Sequence, residues 1–150
     1  MDNKYYDIQA SIGFLTITAN RLMSAYFRKR LLESGIDITA EQWGVLVQLW
    51  NQDSVSQDEL VQLLCVDKSS LSRVLDGMER KGLVARRRDP ADARRRILYS
   101  TPAADLLKNP CKGVAESVLA DMLSGIPPSD HAACISVLRR IKDNIKGLSD

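Results

Sequence analysis

The chain has one histidine, His131, and three cysteines, Cys65, Cys111 and Cys134. The cysteines are odd in number, widely spaced and without a Cys-x-x-Cys pair, which argues against a disulfide framework and a structural zinc site; they read as reduced thiols. A single histidine leaves little material for a metal cluster or a Ser-His-Asp arrangement, and His131, beside a helix start, reads as a solvated surface residue. No apolar run approaches the roughly 18 residues of a membrane-spanning helix, and Met1, Asp2, Asn3 and Lys4 lack the basic start and apolar block of a signal peptide. The expectation is a soluble cytoplasmic protein with no membrane partner, no metal and no cofactor. An enzyme is not expected either, because no nucleophile, base and oxyanion-stabilising set can be assembled by spacing.

What is present is an ordinary globular composition with an uneven charge. The net charge is +2, yet Asp67 to Arg96 carries ten Lys or Arg against five Asp or Glu, a net +5, and the remainder carries −3. Basic charge concentrated in a short part of the chain suits a protein that meets a polyanion with one face.

From Tyr5 to about Ser34, Ile8, Ile12, Leu15, Ala19, Leu22, Met23, Tyr26 and Leu31 recur at three- and four-residue steps, which predicts one long helix closed by Gly35. At about 1.5 Å per residue it spans roughly 45 Å, longer than a compact sphere of this size, so part of it needs a partner outside its own globule. Phe14, Ile17 and Phe27 widen its apolar surface and favour a second chain. Thr39 with Gln42, and Ser56 with Glu59, have capping-box spacing and start two shorter helices. The first of these is expected to bury Trp43, Leu46, Val47 and Trp50, the second Leu60, Leu63 and Leu64. Cys65 and Val66 form a tight connection, with Cys65 and Cys134 expected as small apolar core residues. Asp67 then caps a helix that runs to Lys81 and stops at Gly82. Leu71, Val74, Leu75 and Met78 form its inward stripe, leaving Lys68, Ser69, Ser72, Arg73 and Asp76 on the outer side and Ser70 near the margin.

Two extended runs follow, Leu83 to Arg87 and Arg95 to Tyr99, joined by a loop containing Asp-Pro. Thr101 and Pro102 open a helix to about Ser124, bent or broken near Asn109 and Pro110. Pro127, Pro128 and Ser129 introduce a last helix with Ala133, Ile135, Val137, Leu138, Ile141 and Ile145 as its apolar positions.

The order of elements is that of a winged helix-turn-helix in a mainly α fold with a small β-hairpin. Arg86, Arg87, Arg88, Arg94, Arg95 and Arg96 repel one another around the hairpin tip, and phosphates would neutralise them and release counterions. Asp89 and Asp92 lie inside the cluster, where a carboxylate can hold an arginine fork in a direction suited to a narrow minor groove.

The run TAEQWGVLVQLW, the segment VDKSSLSRVLDGMERKGLV and the wing DPADAR resemble the MarR family of bacterial transcription regulators. The resemblance implies a single domain over residues 1–150, with a winged helix at 35–100 and a helical dimerisation region at 1–34 and 101–150. It implies a homodimer that binds double-stranded DNA at a palindromic operator and usually represses. It also implies that Asp92 supports Arg94 in the minor groove while Ser69, Ser70, Ser72 and Arg73 face the major groove. With the neighbouring cations, the expected DNA-binding set is Lys68, Ser69, Ser70, Ser72, Arg73, Arg86, Arg88, Asp92, Arg94, Arg95 and Arg96. Two positions depart from the family pattern. Ala93 stands where a basic residue is common, and Ser100, Thr101 and Ala104 replace the usual Leu-Thr and Gly after the second strand.

Members of this family commonly release DNA when a small aromatic effector enters a cleft between the dimerisation helices and the winged domain. Phe14, Met23, Trp43 and Leu106 are candidates to line such a cleft here, and core packing explains each of them equally well. Some relatives sense oxidants through a cysteine, for which Cys111 beside Lys112 is the candidate. The rival classes are a sequence-tolerant architectural DNA-binding protein, for which a basic wing suffices, and a winged helix that binds protein, against which the arginine cluster argues.

Overall fold

Asp7 accepts the backbone N–H of Gln9 and caps a short 3-10 turn, Ile8–Ala10, after which Ser11 is extended. This local side-chain bond competes with the helical ladder, so the first helix, α1, begins at Ile12 and not at Tyr5. The computed structural model describes residues 7–148, and Tyr5 lies outside them. Helix α1, Ile12–Glu33, ends at a left-handed cap: Gly35 has φ +75°, and the Ile36 N–H returns to the Leu31 carbonyl.

Both expected capping boxes form. Thr39 and Gln42 exchange bonds at the start of α2, Ala40–Asn51, and Ser56 and Glu59 do so at the start of α3, Gln57–Leu64. Bonds from Ser56, backbone first, hold the Glu59 carboxyl below its ordinary pKa. The core stripe of α2 is rotated from the expected one: Val45, Leu46 and Leu49 are buried, whereas Trp43, Val47 and Trp50 are half-buried. Trp43 meets Phe27 and Trp50 edge to face at 5.6 and 5.7 Å, so the indoles roof the core from one side. On α3 only Leu60 is fully buried; Leu64 is half-buried and Leu63 exposed. Cys65 is the cap of α3 at φ +51°, a backbone turn that leaves its side chain exposed and not in the core.

Asp67 caps α4, Lys68–Arg80, which buries Leu71, Leu75 and Met78, with Val74 half-buried. Gly82, at φ +68°, turns the chain into the sheet. Strands β2, Val84–Arg88, and β3, Arg96–Ser100, make the expected hairpin, and a two-residue strand β1, Val55–Ser56, adds to it in the order β1-β3-β2. All pairs are antiparallel, with Val55 opposite Leu98 and Arg86 also opposite Leu98 on the other edge. Leu98 is fully buried as the central position of the sheet.

The helix after the wing breaks earlier than its proline suggests. Helix α5, Pro102–Asp105, stops after one turn, and α6, Lys108–Met122, starts before Pro110. Pro110 is therefore the third residue of α6, in the first turn, where its missing N–H leaves no ladder bond unmade.

The chain groups into two compact units, Met1–Glu116 and Ser117–Asp150, with α6 running across the boundary. The second unit contains the end of α6, a turn at Gly125 and helix α7, Pro128–Leu148. No residue of α7 is buried: Ile135, Val137 and Ile145 are exposed, and so is Cys134, against the expectation of a core thiol. Among the described residues no helix is long and apolar enough to cross a membrane.

Candidate nucleic-acid interface

The N-terminus of α4 is organised by one carboxylate. Asp67 accepts from the Ser70 backbone N–H at 2.8 Å and from the hydroxyls of Ser69 and Ser70 at 2.6 Å each. These bonds, led by the Ser69 hydroxyl, hold its pKa far below the ordinary carboxylate range. Ser69 and Arg73 are exposed, Ser70 and Ser72 half-buried, and Arg73 donates to Ser70 Oγ at 3.4 Å. Lys68 pairs with Asp58 on α3 at 3.3 Å, an exposed pair of little strength that leaves the ammonium accessible.

The wing arginines divide into three kinds. Arg86 is turned inward, with only 19% of its side chain exposed: it donates to Asp76 at 2.7 Å and to the Ser72 carbonyl at 3.1 Å, and Glu79 lies 3.4 Å from its Nε. It ties β2 to α4 and leaves the set of outward cations in which the sequence placed it. Asp76, expected on the outer side of α4, is its partner. Arg87 and Arg95 are held in place, Arg87 over the Tyr99 ring at 5.1 Å and Arg95 by Asp89 at 3.6 Å. Arg88, Arg94 and Arg96 are exposed, and among the described residues their guanidiniums have no partner.

Asp92 acts on Arg94 through the backbone. Its Oδ1 accepts the Arg94 N–H at 3.0 Å, while its carbonyl accepts the Arg95 N–H at 2.9 Å, closing the turn at the tip. Asp89 accepts the Ala91 N–H at 2.9 Å on the other side of the loop. The fork that a carboxylate holds is that of Arg95, by Asp89, and Asp92 instead fixes the turn from which Arg94 projects.

A polar junction missed in the sequence joins α1 to the end of α4. Arg28 pairs with Asp37 and donates to the Ile38 carbonyl at 2.7 Å; Lys81 donates to the Asp37 carbonyl at 2.7 Å and to Gln42 Oε1 at 3.3 Å. Arg28 and then Lys81 hold the Asp37 carboxyl below its usual pKa. Gln42, recognisable only as the partner in a capping box, is a buried side chain shared by the α2 cap and this junction.

A cavity of about 280 Å³ lies between α1, α2, α3 and α4, lined by Asn20, Ser24, Gly44, Leu64, Ser70 and Val74 among others. Phe14, Met23, Trp43 and Leu106 are not among its lining residues. Trp43 is engaged with Phe27 and Trp50, and Leu106 is 79% exposed. Cys111 is buried, and burial raises its thiol pKa to about 11, while Lys112 pairs with Glu116 at 3.8 Å. A thiol in that environment is the opposite of an activated one, which removes the basis for oxidant sensing at Cys111.

A helix with a polar outer face, capped by an acid and flanked by a wing with arginines unpaired among the described residues, defines a winged helix-turn-helix of the DNA-binding class. Residues 38–95 match the model of the MarR family. The chain is similar to the uncharacterized HTH-type transcriptional regulator YdgJ of Bacillus subtilis, 28% identical over 77% of this chain and 71% of that one. A probable transcriptional regulator of Pseudomonas aeruginosa superposes with a TM-score of 0.78 at 25% identity, covering 89% of this chain and 98% of that one. BpsR of Bordetella bronchiseptica, whose DNA binding is regulated by 6-hydroxynicotinic acid, superposes with a TM-score of 0.82 at 26% identity, covering 92% and 97%. Residues 38–95 thus carry a MarR-type domain, and the similar proteins and structures are transcription regulators.

Proposed function

We propose that this regulator is a homodimeric repressor that binds a palindromic operator, with α4 in the major groove and the wing in the minor groove, and that a small molecule releases it. The observation that carries the dimer is the open apolar face of α1: Ile12, Leu15 and Leu22 are each at least half exposed, Leu22 to 73%. Burying such a side chain stabilises by roughly 1.5–3 kcal/mol, so a second chain is the natural cover for several in a row. The division of the chain into a winged helix at 35–100 and dimerisation helices at 1–34 and 101–150 belongs to the same reading. A two-fold dimer presents two copies of α4 and so calls for an inverted repeat.

Within each half-site, Lys68, Ser69, Ser70, Ser72 and Arg73 meet the major groove, and Arg88, Arg94, Arg95 and Arg96 meet phosphates or the minor groove. Arg86 and Asp92 support them from behind. The cavity beside Ser70 and Val74 is the candidate seat for an effector, because a molecule there touches the recognition helix itself. Selection of bound duplexes from a randomised DNA pool tests the reading. Enrichment of an inverted repeat with half-sites about one helical turn apart supports it, and binding without enrichment replaces it with an architectural role.

A further inference from the structure

Asp67 caps α4 and also takes the protons of the two serines that follow it. Oδ1 accepts from Ser69 Oγ and Oδ2 from Ser70 Oγ, each at 2.6 Å. A serine hydroxyl has one hydrogen and two lone pairs, so a hydroxyl whose hydrogen is engaged can only accept. Asp67 is held ionised and has no proton to give back. Charge-assisted bonds of this length are roughly twice as strong as neutral ones, so turning either hydrogen toward an uncharged base edge loses more than it gains. Ser69 is exposed with both lone pairs unengaged, whereas Ser70 is half-buried and already accepts from Arg73. Ser69 is therefore the freer reader of the two.

Phosphate oxygens, guanine O6 and N7, and thymine O4 are acceptors and offer nothing to a hydroxyl without a free hydrogen; phosphate is in addition repelled by the Asp67 charge. The major-groove groups that can donate are the exocyclic amines of adenine and cytosine. We propose that Ser69, with Ser70 beside it, reads the major groove as an acceptor only, so that the base it meets carries an exocyclic amine, adenine or cytosine, and not guanine or thymine. Each base pair holds one amino-bearing and one keto-bearing base at these positions, so the contact reads which strand carries the amine. This inference rests on α4 being the major-groove helix.

The test compares the full-length protein with Ser69→Ala in parallel selections from one randomised duplex pool. The expected result is a half-site position enriched in adenine or cytosine for the parent protein, with that preference lost in Ser69→Ala. Replacing the base there by its analogue without the exocyclic amine should then weaken the parent roughly fivefold and leave Ser69→Ala unchanged. Asp67→Ser keeps an oxygen to cap α4 but frees the serine hydrogens, and should bring keto bases to within about twofold of amino bases at that position. A Ser69-dependent preference for guanine or thymine in the parent would overturn the inference while leaving α4 in the major groove. Identical enriched sequences for the parent and Ser69→Ala, at every position, would overturn the inference together with the placement of this helix face against DNA.

Discussion

Arg86 donates to Asp76 at 2.7 Å, so one of the six wing arginines holds the recognition helix from inside. The bond joins the third turn of α4 to β2, and with the Ser72 carbonyl and Glu79 it sets where the wing lies relative to the helix. Arg86→Ala leaves these acceptors unpaired and should cost about 1–2 kcal/mol of stability in denaturant unfolding. DNA affinity should fall as well, but the slope of log affinity against log salt should stay the same, because no phosphate contact is removed.

Arg94→Ala should behave differently. Its guanidinium has no partner within the described protein, so stability should be unchanged within about 0.5 kcal/mol. Affinity should drop with the dimer intact, and if Arg94 meets phosphate the salt slope should shrink by about one. Titrations of both variants at several salt concentrations separate a positioning arginine from a contacting one.

Leu15→Glu with Leu22→Glu places two charges on the open face of α1, where neither leucine is buried within its own chain. Sedimentation equilibrium should show a folded monomer with an unchanged far-ultraviolet spectrum. DNA affinity should collapse, because half-site binding by one protomer loses the second set of contacts.

Thiol reactivity should follow burial. Cys65 and Cys134 are exposed and should react promptly with a chromogenic disulfide at neutral pH, whereas Cys111, with a pKa of about 11, should react only when the protein unfolds. Two fast thiols and one slow one are expected.

The acid limb of stability should trace to carboxylates with lowered pKa. Asp67, Asp37 and Glu59 all have pKa values in the folded protein below the ordinary ones of 3.8, 3.8 and 4.5. Their stabilisation is fully present above about pH 5 and is lost as pH falls through the lowered folded values, since the unfolded chain then takes up protons first. Unfolding midpoints should be flat from pH 7 to about pH 5 and fall below about pH 4, and Asp67→Asn should flatten that fall.

Much of the local structure was legible because single residues declare it. Thr39 with Gln42, Ser56 with Glu59, Asp67, Gly35 and Gly82 each act within one turn of their own position, and all of them cap or stop a helix where the spacing places them. What escaped depends on distant residues. Strand β1 is two residues long, too short for any alternation to show, and exists because Leu98 and Ile97 offer it an edge. The rotation of α2 follows from Trp43 and Trp50 meeting edge to face at the margin instead of filling the core. Arg86 looked like its neighbours in a run of arginines, and only the register of β2 against α4 turns it inward. Asp92 was legible as the support of Arg94, but support through the backbone N–H depends on a turn geometry that composition does not reveal.

The central claim is that this chain recognises a particular DNA sequence as a dimer. Its most direct test is competition between the duplex enriched from a random pool and a scrambled duplex of equal length and charge, at near-physiological salt. The account predicts roughly a thousandfold or greater preference for the enriched duplex, with two protomers bound per site. Comparable affinity for both duplexes, or one protomer bound per site at full occupancy, would contradict it.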